Sequence, residues 1–164
     1  MARQNPEYGT QSNGKVWIMQ EFKNEEANGL GIPLPKGRLR FYRRDSEGRL
    51  QFTGENVITH TPKDETVRVY TGNSFDLVGE RKRIDFHVDS SAKTADETFE
   101  IKLRNHKPEA EEVRVVEHLY RWTNWRITQS NSAFNKTDAQ TAEFRVSIAP
   151  NGERIVRYNV HYSW

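Results

Sequence analysis

Residues 98–127, TFEIKLRNHKPEAEEVRVVEHLYRWTNWRI, decide the fold class of this chain. In the first part of the stretch, Phe99, Ile101 and Leu103 alternate with charged residues, and Asn105 continues the alternation. A period of two is typical of a strand with one buried and one wet face. After a short polar connector comes a second run rich in β-branched and aromatic residues. The stretch therefore predicts a β-hairpin at the centre of a sheet.

The second run also has features of a helix start. Pro108 is followed by Glu109, Glu111 and Glu112, and proline with acidic residues in the first turn is typical of a helix N-terminus. Against a helix, three of the four residues 113–116 are Val, which loses rotamer freedom in a helix. A strand is the favoured interpretation of this run.

The composition indicates a folded chain with long wet faces. The 164 residues suffice for one domain with a sizeable core, although only 34% are hydrophobic and 29% are charged. The chain has 4 Trp, 6 Tyr and 8 Phe, and large aromatic residues suit a thin, two-layer core because each buries much area. The absence of cysteine excludes disulfides and thiolate metal sites. No apolar run approaches the roughly 18 residues of a membrane-spanning helix, so we expect a chain that does not span a membrane.

Turn signals divide the rest of the chain into short segments. Residues 45–48, 72–74 and 150–152 are expected turns, and residues 130–140 are expected to form a polar loop. About nine or ten short strands at this spacing predict an all-β chain, folded as an antiparallel two-sheet sandwich. The last strand, residues 156–164, is expected to pair with residues 144–148 across the Asn-Gly turn.

The ends of the chain differ in pattern. Residues 1–14 are polar and lack periodicity, so we expect a flexible lead or a cloning remnant. Residues 15–164 are expected to form a single β-sandwich domain. Because the alternation continues to Trp164, we expect that residue to be the natural end, whereas Met1 is expected to mark a cut in a longer chain.

Several stretches carry a family resemblance. They are residues 29–37 (GLGIPLPKG), 60–65 (HTPKDE), 75–76 (FD), 103–107 (LRNHK), 115–117 (VVE) followed by Trp125, and 158–164 (YNVHYSW). Over residues 23–164 the chain resembles the C-terminal part of the bacterial domain of unknown function 4139 family, which is also found in mucoidy-inhibitor-like proteins. The chain departs from the family at His118, where proline is usual, and residues 120–122 are a local variation.

The resemblance implies an immunoglobulin-like β-sandwich. It also implies a location in the bacterial cell envelope, periplasmic or extracellular, and further sequence upstream in longer members. The family supplies no catalytic residues. The five histidines are scattered, and no nucleophile, zinc or phosphate-binding motif accompanies them, so we expect neither an enzyme nor a cofactor.

One candidate binding site lies at residues 120–122. Tyr120 and Trp122, with Arg121 between them, could form an aromatic platform on which the apolar faces of sugar rings stack. Packing in the core or at an edge is the alternative, and Trp125 is assigned to the core because it alternates with Ile127.

A second candidate is the connector at residues 60–65, where His60 and Lys63 are candidate binding residues. His60 with Asp64 and Glu65 could offer oxygen and imidazole ligands to a metal ion, but their spacing needs a helix that Pro62 disfavours. The alternative is that side chains of the connector cap it through backbone hydrogen bonds. We therefore expect no bound metal.

Residues 38–44, RLRFYRR, interleave arginines with aromatic residues, a pattern that can bind nucleic acid. The alternative is an outward strand face paired with acidic residues. The 25 basic and 23 acidic residues are interspersed and the net charge is only +2, so no nucleic-acid partner is expected.

These observations predict a non-catalytic β-sandwich domain of a larger bacterial envelope or secreted protein, with a structural or protein-interaction role. The first alternative is a glycan-binding module that uses exposed aromatic residues. The second is a metal-binding or hydrolytic domain. The partner is expected to be another envelope protein or a glycan, and the sequence leaves the oligomeric state open.

Overall fold

The computed structural model describes residues 4–164, and their regular structure is almost entirely β. The strands are β1 Lys15–Lys23, β2 Gly37–Arg44, β3 Leu50–Ile58, β4 Thr66–Asp89, β5 Thr94–Asn105, β6 Glu111–His118, β7 Trp125–Ser130, β8 Phe134–Asp138, β9 Thr141–Ile148 and β10 Glu153–Ser163. A single 3₁₀ turn, Glu26–Asn28, is the other regular element in the described residues. The strand pairings resolved are antiparallel, so the all-β class expected from the sequence is confirmed.

The chain forms two compact units. Among the described residues, the small unit comprises residues 16–74, and the large unit comprises residues 4–15 and 75–164. The single domain expected over residues 15–164 stays a prediction, because a compact unit need not fold independently.

Two sheets supply the strands of the large unit. One has the order β1-β4-β5-β10-β7, with β1 belonging to the small unit, and the other has the order β6-β9-β8. In the first sheet Phe99 of β5 lies opposite Tyr158 of β10, and their rings stack with centroids 5.5 Å apart. Phe144 of β9 packs on the same tyrosine at 5.3 Å. Aromatic rings from both sheets therefore form the centre of the core.

The prediction of a hairpin at residues 98–127 is wrong, because β5 and β6 lie in different sheets. β5 pairs with β4 and β10, whereas β6 pairs with β9. The alternation did predict the buried face, since Phe99, Ile101, Leu103 and Asn105 are all buried. Alternation fixes which side chains face the core but carries no information about which strand lies alongside.

The buried side chain of Asn105 stabilises two segments through which the chain passes from one sheet to the other. Its side-chain amide donates to the carbonyls of Glu109 at 2.8 Å and Ala149 at 3.1 Å, and its Oδ1 accepts from the Lys107 amide at 2.9 Å. A buried polar side chain needs such partners. One residue thereby closes both the connector after β5 and the turn before β10.

Several finer predictions also differ from the structure. The run after the connector is a strand, β6, as favoured, but it ends at His118 and the chain turns before β7 begins at Trp125. Residues 72–74 lie inside β4 and not in a turn, and the loop expected at residues 130–140 contains β8. Ladder partners override local turn propensity in both places.

The last strand is strongly paired, though with partners other than those expected. β10 pairs with β5 and β7, and not with residues 144–148. The turn itself is present, since Asn151 has φ 49° and the Gly152 amide donates to the Ala149 carbonyl at 3.1 Å. The Asn-Gly turn thus links two sheets, and it does not close a two-stranded hairpin.

The small unit has a modest core. Ile58, Val67 and Val69 are buried, and four partly buried apolar side chains pack on them: Phe22, Leu34, Leu39 and Phe41. β2 and β3 pair as an antiparallel hairpin across the turn expected at residues 45–48, with a bulge after Phe41. A core of this size leaves most of the strand surface exposed.

Asn24 closes the loops of the small unit. It is fully buried, and its amide donates to the carbonyls of Ile32 at 2.7 Å and Pro62 at 2.8 Å. Its Oδ1 accepts from the Gly31 amide at 3.1 Å. The two proline-containing segments at residues 29–37 and 60–65 are therefore joined through one side chain.

Candidate functional site

A cleft of about 400 Å³ lies in the large unit, next to the turn that follows β6. Charged and aromatic side chains line it, among them Arg81, Glu97, His118, Tyr120 and Arg121. We call it the arginine cleft. β4 and β5 place Arg81 and Glu97, and the turn at residues 119–124 places Tyr120 and Arg121.

Arg121 and Glu97 form a buried ion pair with two parallel bonds. Arg121 Nε donates to Glu97 Oε2 at 2.9 Å, and its Nη2 donates to Oε1 at 2.6 Å. The two side chains are only 1% and 3% exposed, and Arg83 adds a third bond to Glu97 at 3.2 Å. Buried charges are tolerated only when they are paired and hydrogen-bonded in this way. The pairing fixes the orientation of the Arg121 guanidinium.

A second charged cluster lies beside the first. Arg81 Nε donates to both oxygens of Glu117, at 2.9 and 3.1 Å, and the Tyr158 hydroxyl donates to the same carboxylate. The Arg81 guanidinium also lies 3.9 Å from the centre of the Phe99 ring. This cation–π contact and the ion pair together hold Arg81 in one orientation.

The two buried phenols of this region remain protonated. Burial raises the pKa of Tyr158 well above its usual value, and the negative charge of Glu117 raises it further. Burial likewise raises the pKa of Tyr162, with a further contribution from Glu97. Both pKa shifts disfavour the phenolate. Near neutral pH these hydroxyls are donors and not bases.

Residues 5–9 lie across the arginine cleft, and we call them the N-terminal strap. Arg121 donates to the carbonyls of Asn5 at 3.1 Å and Tyr8 at 2.8 Å, and Arg81 donates to the carbonyl of Gly9 at 2.7 Å. The Tyr8 ring lies 5.6 Å from the Arg121 guanidinium. The two arginines thus bind one short segment of polypeptide through its main chain.

Sequence reasoning missed the N-terminal strap. Residues 1–14 were expected to be a flexible lead or a cloning remnant. Residues 1–3 lie outside the described part of the chain, whereas residues 5–9 are hydrogen-bonded to Arg81 and Arg121. Main-chain carbonyls are present in every sequence, so their use as acceptors leaves no pattern to find. The one available signal was Gly9, whose φ of 79° marks a turn that suits glycine.

The structure separates the roles of Tyr120, Arg121 and Trp122. Tyr120 is 53% exposed, and its ring stacks on His118 with centroids 5.1 Å apart and planes 4° from parallel. Arg121 is buried in its pair with Glu97, and Trp122 is half-buried. Trp125 is buried, as expected, and its Nε1 donates to the Ala139 carbonyl at 2.8 Å. Tyr120 is therefore the exposed aromatic member of the expected platform.

His60 and Lys63 belong to the small unit and not to the arginine cleft. His60 Nδ1 accepts a hydrogen bond from the Lys36 amide at 3.3 Å, and Lys63 forms an exposed ion pair with Glu26 at 2.8 Å. Across residues 4–164, no group of three histidine or acidic side chains is placed to hold a metal ion. The metal interpretation of the connector thus has no geometric support.

The basic and aromatic strand at residues 38–44 is partly neutralised. Arg38 and Arg40 of β2 form ion pairs with Glu55 of β3, at 2.6 and 3.4 Å. Tyr42 lies opposite Phe52, and their rings meet edge to face at 5.8 Å. Cross-strand pairing of this kind is the non-functional alternative considered for the arginines.

The chain was compared with protein-family models and with curated proteins, and neither comparison gave a match. In residues 4–164 we find no helix with the length and apolar character needed to cross a membrane.

Proposed function

We propose that the chain is a non-catalytic, protein-interaction domain whose arginine cleft binds polypeptide main chain. The observation that supports this function is the contact of two oriented guanidinium groups with three carbonyls of the N-terminal strap. In this chain the strap forms one wall of the cleft and is the intramolecular ligand of the two arginines.

The cleft is preorganised for this role. Glu97 takes the Nε edge of Arg121 and thereby directs its remaining N–H groups toward the strap. Glu117 does the same for Arg81. Donors that are already oriented lose little side-chain entropy when a ligand binds, which raises affinity. Contacts to carbonyls alone are compatible with many peptide sequences.

The titratable groups of the cleft support a non-catalytic role. Both buried carboxylates accept hydrogen bonds from arginine side chains, and the raised pKa values of Tyr158 and Tyr162 keep their hydroxyls neutral. A general acid or base needs a pKa close to the working pH and access to a substrate proton. These groups serve instead to hold the arginines.

We further propose that the large unit is an immunoglobulin-like sandwich in a bacterial envelope or secreted protein. Support for the sandwich comes from the ring contacts between the β9 and β10 side chains and from the passage of the chain between sheets after β5. Support for the envelope location is the family resemblance alone.

Cleavage of the chain next to the strap tests peptide binding. A specific protease site is inserted between Ser12 and Asn13, which are both exposed, and the folded full chain is then cut. We expect the remaining chain to keep its circular dichroism spectrum while the fragment dissociates on dilution. A labelled copy of the fragment should rebind reversibly in a fluorescence anisotropy titration. Unfolding on cleavage, or a fragment that does not rebind, would contradict the proposal.

A peptide carrying Gly9→Ala is the matched variant. The backbone at Gly9 has φ 79°, and an added Cβ would meet no atom within 4 Å, so the substitution introduces backbone strain without a clash. Since a left-handed conformation costs a non-glycine residue roughly 1 kcal/mol, binding should weaken about five-fold. A Glu7→Ala peptide should bind like the parent, because the two arginines bind the main-chain carbonyls of Asn5, Tyr8 and Gly9.

A second candidate function is glycan binding, which the exposed Tyr120 ring favours. Stacked flat on His118, it presents an aromatic face at the rim of the cleft. Calorimetric titration with peptidoglycan fragments tests this function. A heat of binding that is seen with the parent chain and is absent with Tyr120→Ala would support glycan binding. If the parent chain binds no fragment, peptide binding is the one remaining function proposed for the cleft.

A further inference from the structure

β1 is an edge strand with apolar residues exposed on both faces. In the sheet order of the described residues it has a neighbour, β4, on one side. Trp17 is 62% exposed, and Ile18 and Met19 are exposed as well, although adjacent strand residues point to opposite faces. Neither face of the centre of β1 is therefore buried in a core.

Exposed apolar edges are unusual because they template pairing with another chain. Proteins commonly protect edge strands with charges, proline or short length. β8, at the edge of the other sheet, follows this rule, since it has five residues and Phe134 is its one large apolar side chain. β1 has nine residues, and its charges lie toward its ends, at Lys15, Glu21 and Lys23.

We propose that β1 pairs antiparallel with β1 of a second copy of this chain, around a two-fold axis at Ile18. This register places Ile18 opposite itself and Trp17 opposite Met19 of the other copy. The pairing joins the open edges of two sheets and buries apolar side chains on both faces. It goes beyond the peptide function of the arginine cleft and uses separate residues.

Charge selects the register. Centred on Ile18, the pair places Lys15 opposite Glu21 of the other copy, which is favourable for residues directly across a ladder. Centred on Met19, it would place Lys15 opposite Lys23, and like charges across a ladder destabilise it. Glu21 already contacts Arg68 at 2.7 Å, and a carboxylate accepts bonds from two cations.

The backbone orientation agrees with this register. The Ile18 carbonyl faces β4, where it accepts from the Thr71 hydroxyl at 3.2 Å. In an antiparallel ladder the backbone N–H and C=O groups of the preceding and following residues then point away from β4, toward the open edge. Trp17 and Met19 consequently form the hydrogen-bonded pair, and Ile18 lies in the non-hydrogen-bonded position, where side chains of opposed residues approach most closely.

Cysteine crosslinking tests the pairing and its register together. The chain has no cysteine, so an Ile18→Cys variant carries a single thiol. Opposed Cβ atoms in this position lie within reach of a disulfide, and we expect mild oxidation to convert the variant to a covalent dimer. Gln20→Cys is the matched control: the register places it opposite Val16, so it should form no covalent dimer under the same conditions. Equal crosslinking at both positions, or at neither, would overturn the proposal.

Sedimentation of the unmodified chain supplies the second measurement. The parent should show a concentration-dependent dimer, and Ile18→Lys should shift it to the monomer, since two like charges would meet at the axis. Ile84→Lys, another exposed isoleucine on a strand, should leave the dimer unchanged. A parent that stays monomeric at every concentration, or an equal effect of both lysines, would refute the pairing.

Discussion

The large unit buries charge, whereas the small unit exposes apolar rings. In the large unit Glu97 and Arg121 are buried and hydrogen-bonded to each other, and the buried Glu117 accepts from Arg81. In the small unit Tyr42, Phe52 and several neighbours are exposed, around a core of three buried apolar residues. Each unit departs from the simple rule of apolar inside and polar outside, in opposite directions.

The difference shows what each unit depends on. Buried ion pairs contribute little net stability while complete, but removal of one partner leaves an uncompensated charge. The large unit is therefore sensitive to single polar substitutions. The exposed rings of the small unit have little burial to lose, so their substitution should affect association more than folding. Four measurements, in order of expected effect, test this contrast.

The largest effect is expected from Glu97→Ala. The substitution leaves the guanidinium of Arg121 buried without its carboxylate, so the free energy of unfolding should fall by about 3–5 kcal/mol. Urea denaturation measures it. Glu112→Ala, which removes an exposed carboxylate 3.8 Å from Arg145, should cost less than about 0.5 kcal/mol. Similar losses of unfolding free energy in both variants would show that the buried ion pair matters no more for stability than the exposed one.

A smaller effect is expected from Asn24→Ala in the small unit. Three backbone groups would lose their partner in a buried position, at a cost of about 1–3 kcal/mol. Asn28→Ala is the matched control, since its amide also donates to a carbonyl, that of Lys23, but in an exposed position. Equal denaturation midpoints for the two variants would mean that Asn24 does not hold the loops together.

The buried tyrosines predict a loss of stability at alkaline pH. Their pKa values are raised in the folded state, so above about pH 10 the unfolded chain releases protons that the folded chain retains. Stability is thus complete below pH 10 and falls as pH rises, by about 1.4 kcal/mol per pH unit for each tyrosine. Denaturation midpoints between pH 8 and 11 measure the slope. Tyr162→Phe should reduce it, and an unchanged slope would assign the loss to other groups.

The smallest effect is expected from Phe52→Ser. The exposed ring contributes chiefly its edge-to-face contact with Tyr42, so the cost should be about 0.5–1 kcal/mol. Phe144→Ser, in the buried core of the large unit, is the contrasting substitution and should prevent cooperative folding or cost several times more. A large effect at Phe52 would mean that the ring is buried in solution by a partner, and concentration dependence would reveal it.

The sequence predicted the fold class and many buried positions because strand alternation is a local property. Val156, Tyr158, Val160 and Tyr162 are buried as their spacing indicated. The pairing of β5 with β10 could not be predicted, since it depends on residues far apart in the chain: Phe99 pairs with Tyr158, 59 positions later.

The candidate site was predictable only in part. Residues 120–122 drew attention as a local variation, and two of them line the cleft. Their chemical roles were not evident, since Arg121 was a candidate binding residue only as a neighbour of two aromatic residues, and in the structure it is buried against Glu97. The pairing partner lies 24 positions away in sequence, and no local pattern reports a contact of that kind.

Asn105 has a practical consequence for placing labels and fusions. Its side chain joins the connector after β5 to the turn before β10, so an inserted segment at residues 106–109 would separate groups that one amide holds within hydrogen-bond distance. The turn between β2 and β3 is closed locally, by the amides of Glu47 and Arg49 that donate to the Asp45 carboxylate. A fluorescent protein or epitope tag should be accepted there, because exposed loop tips tolerate added chain.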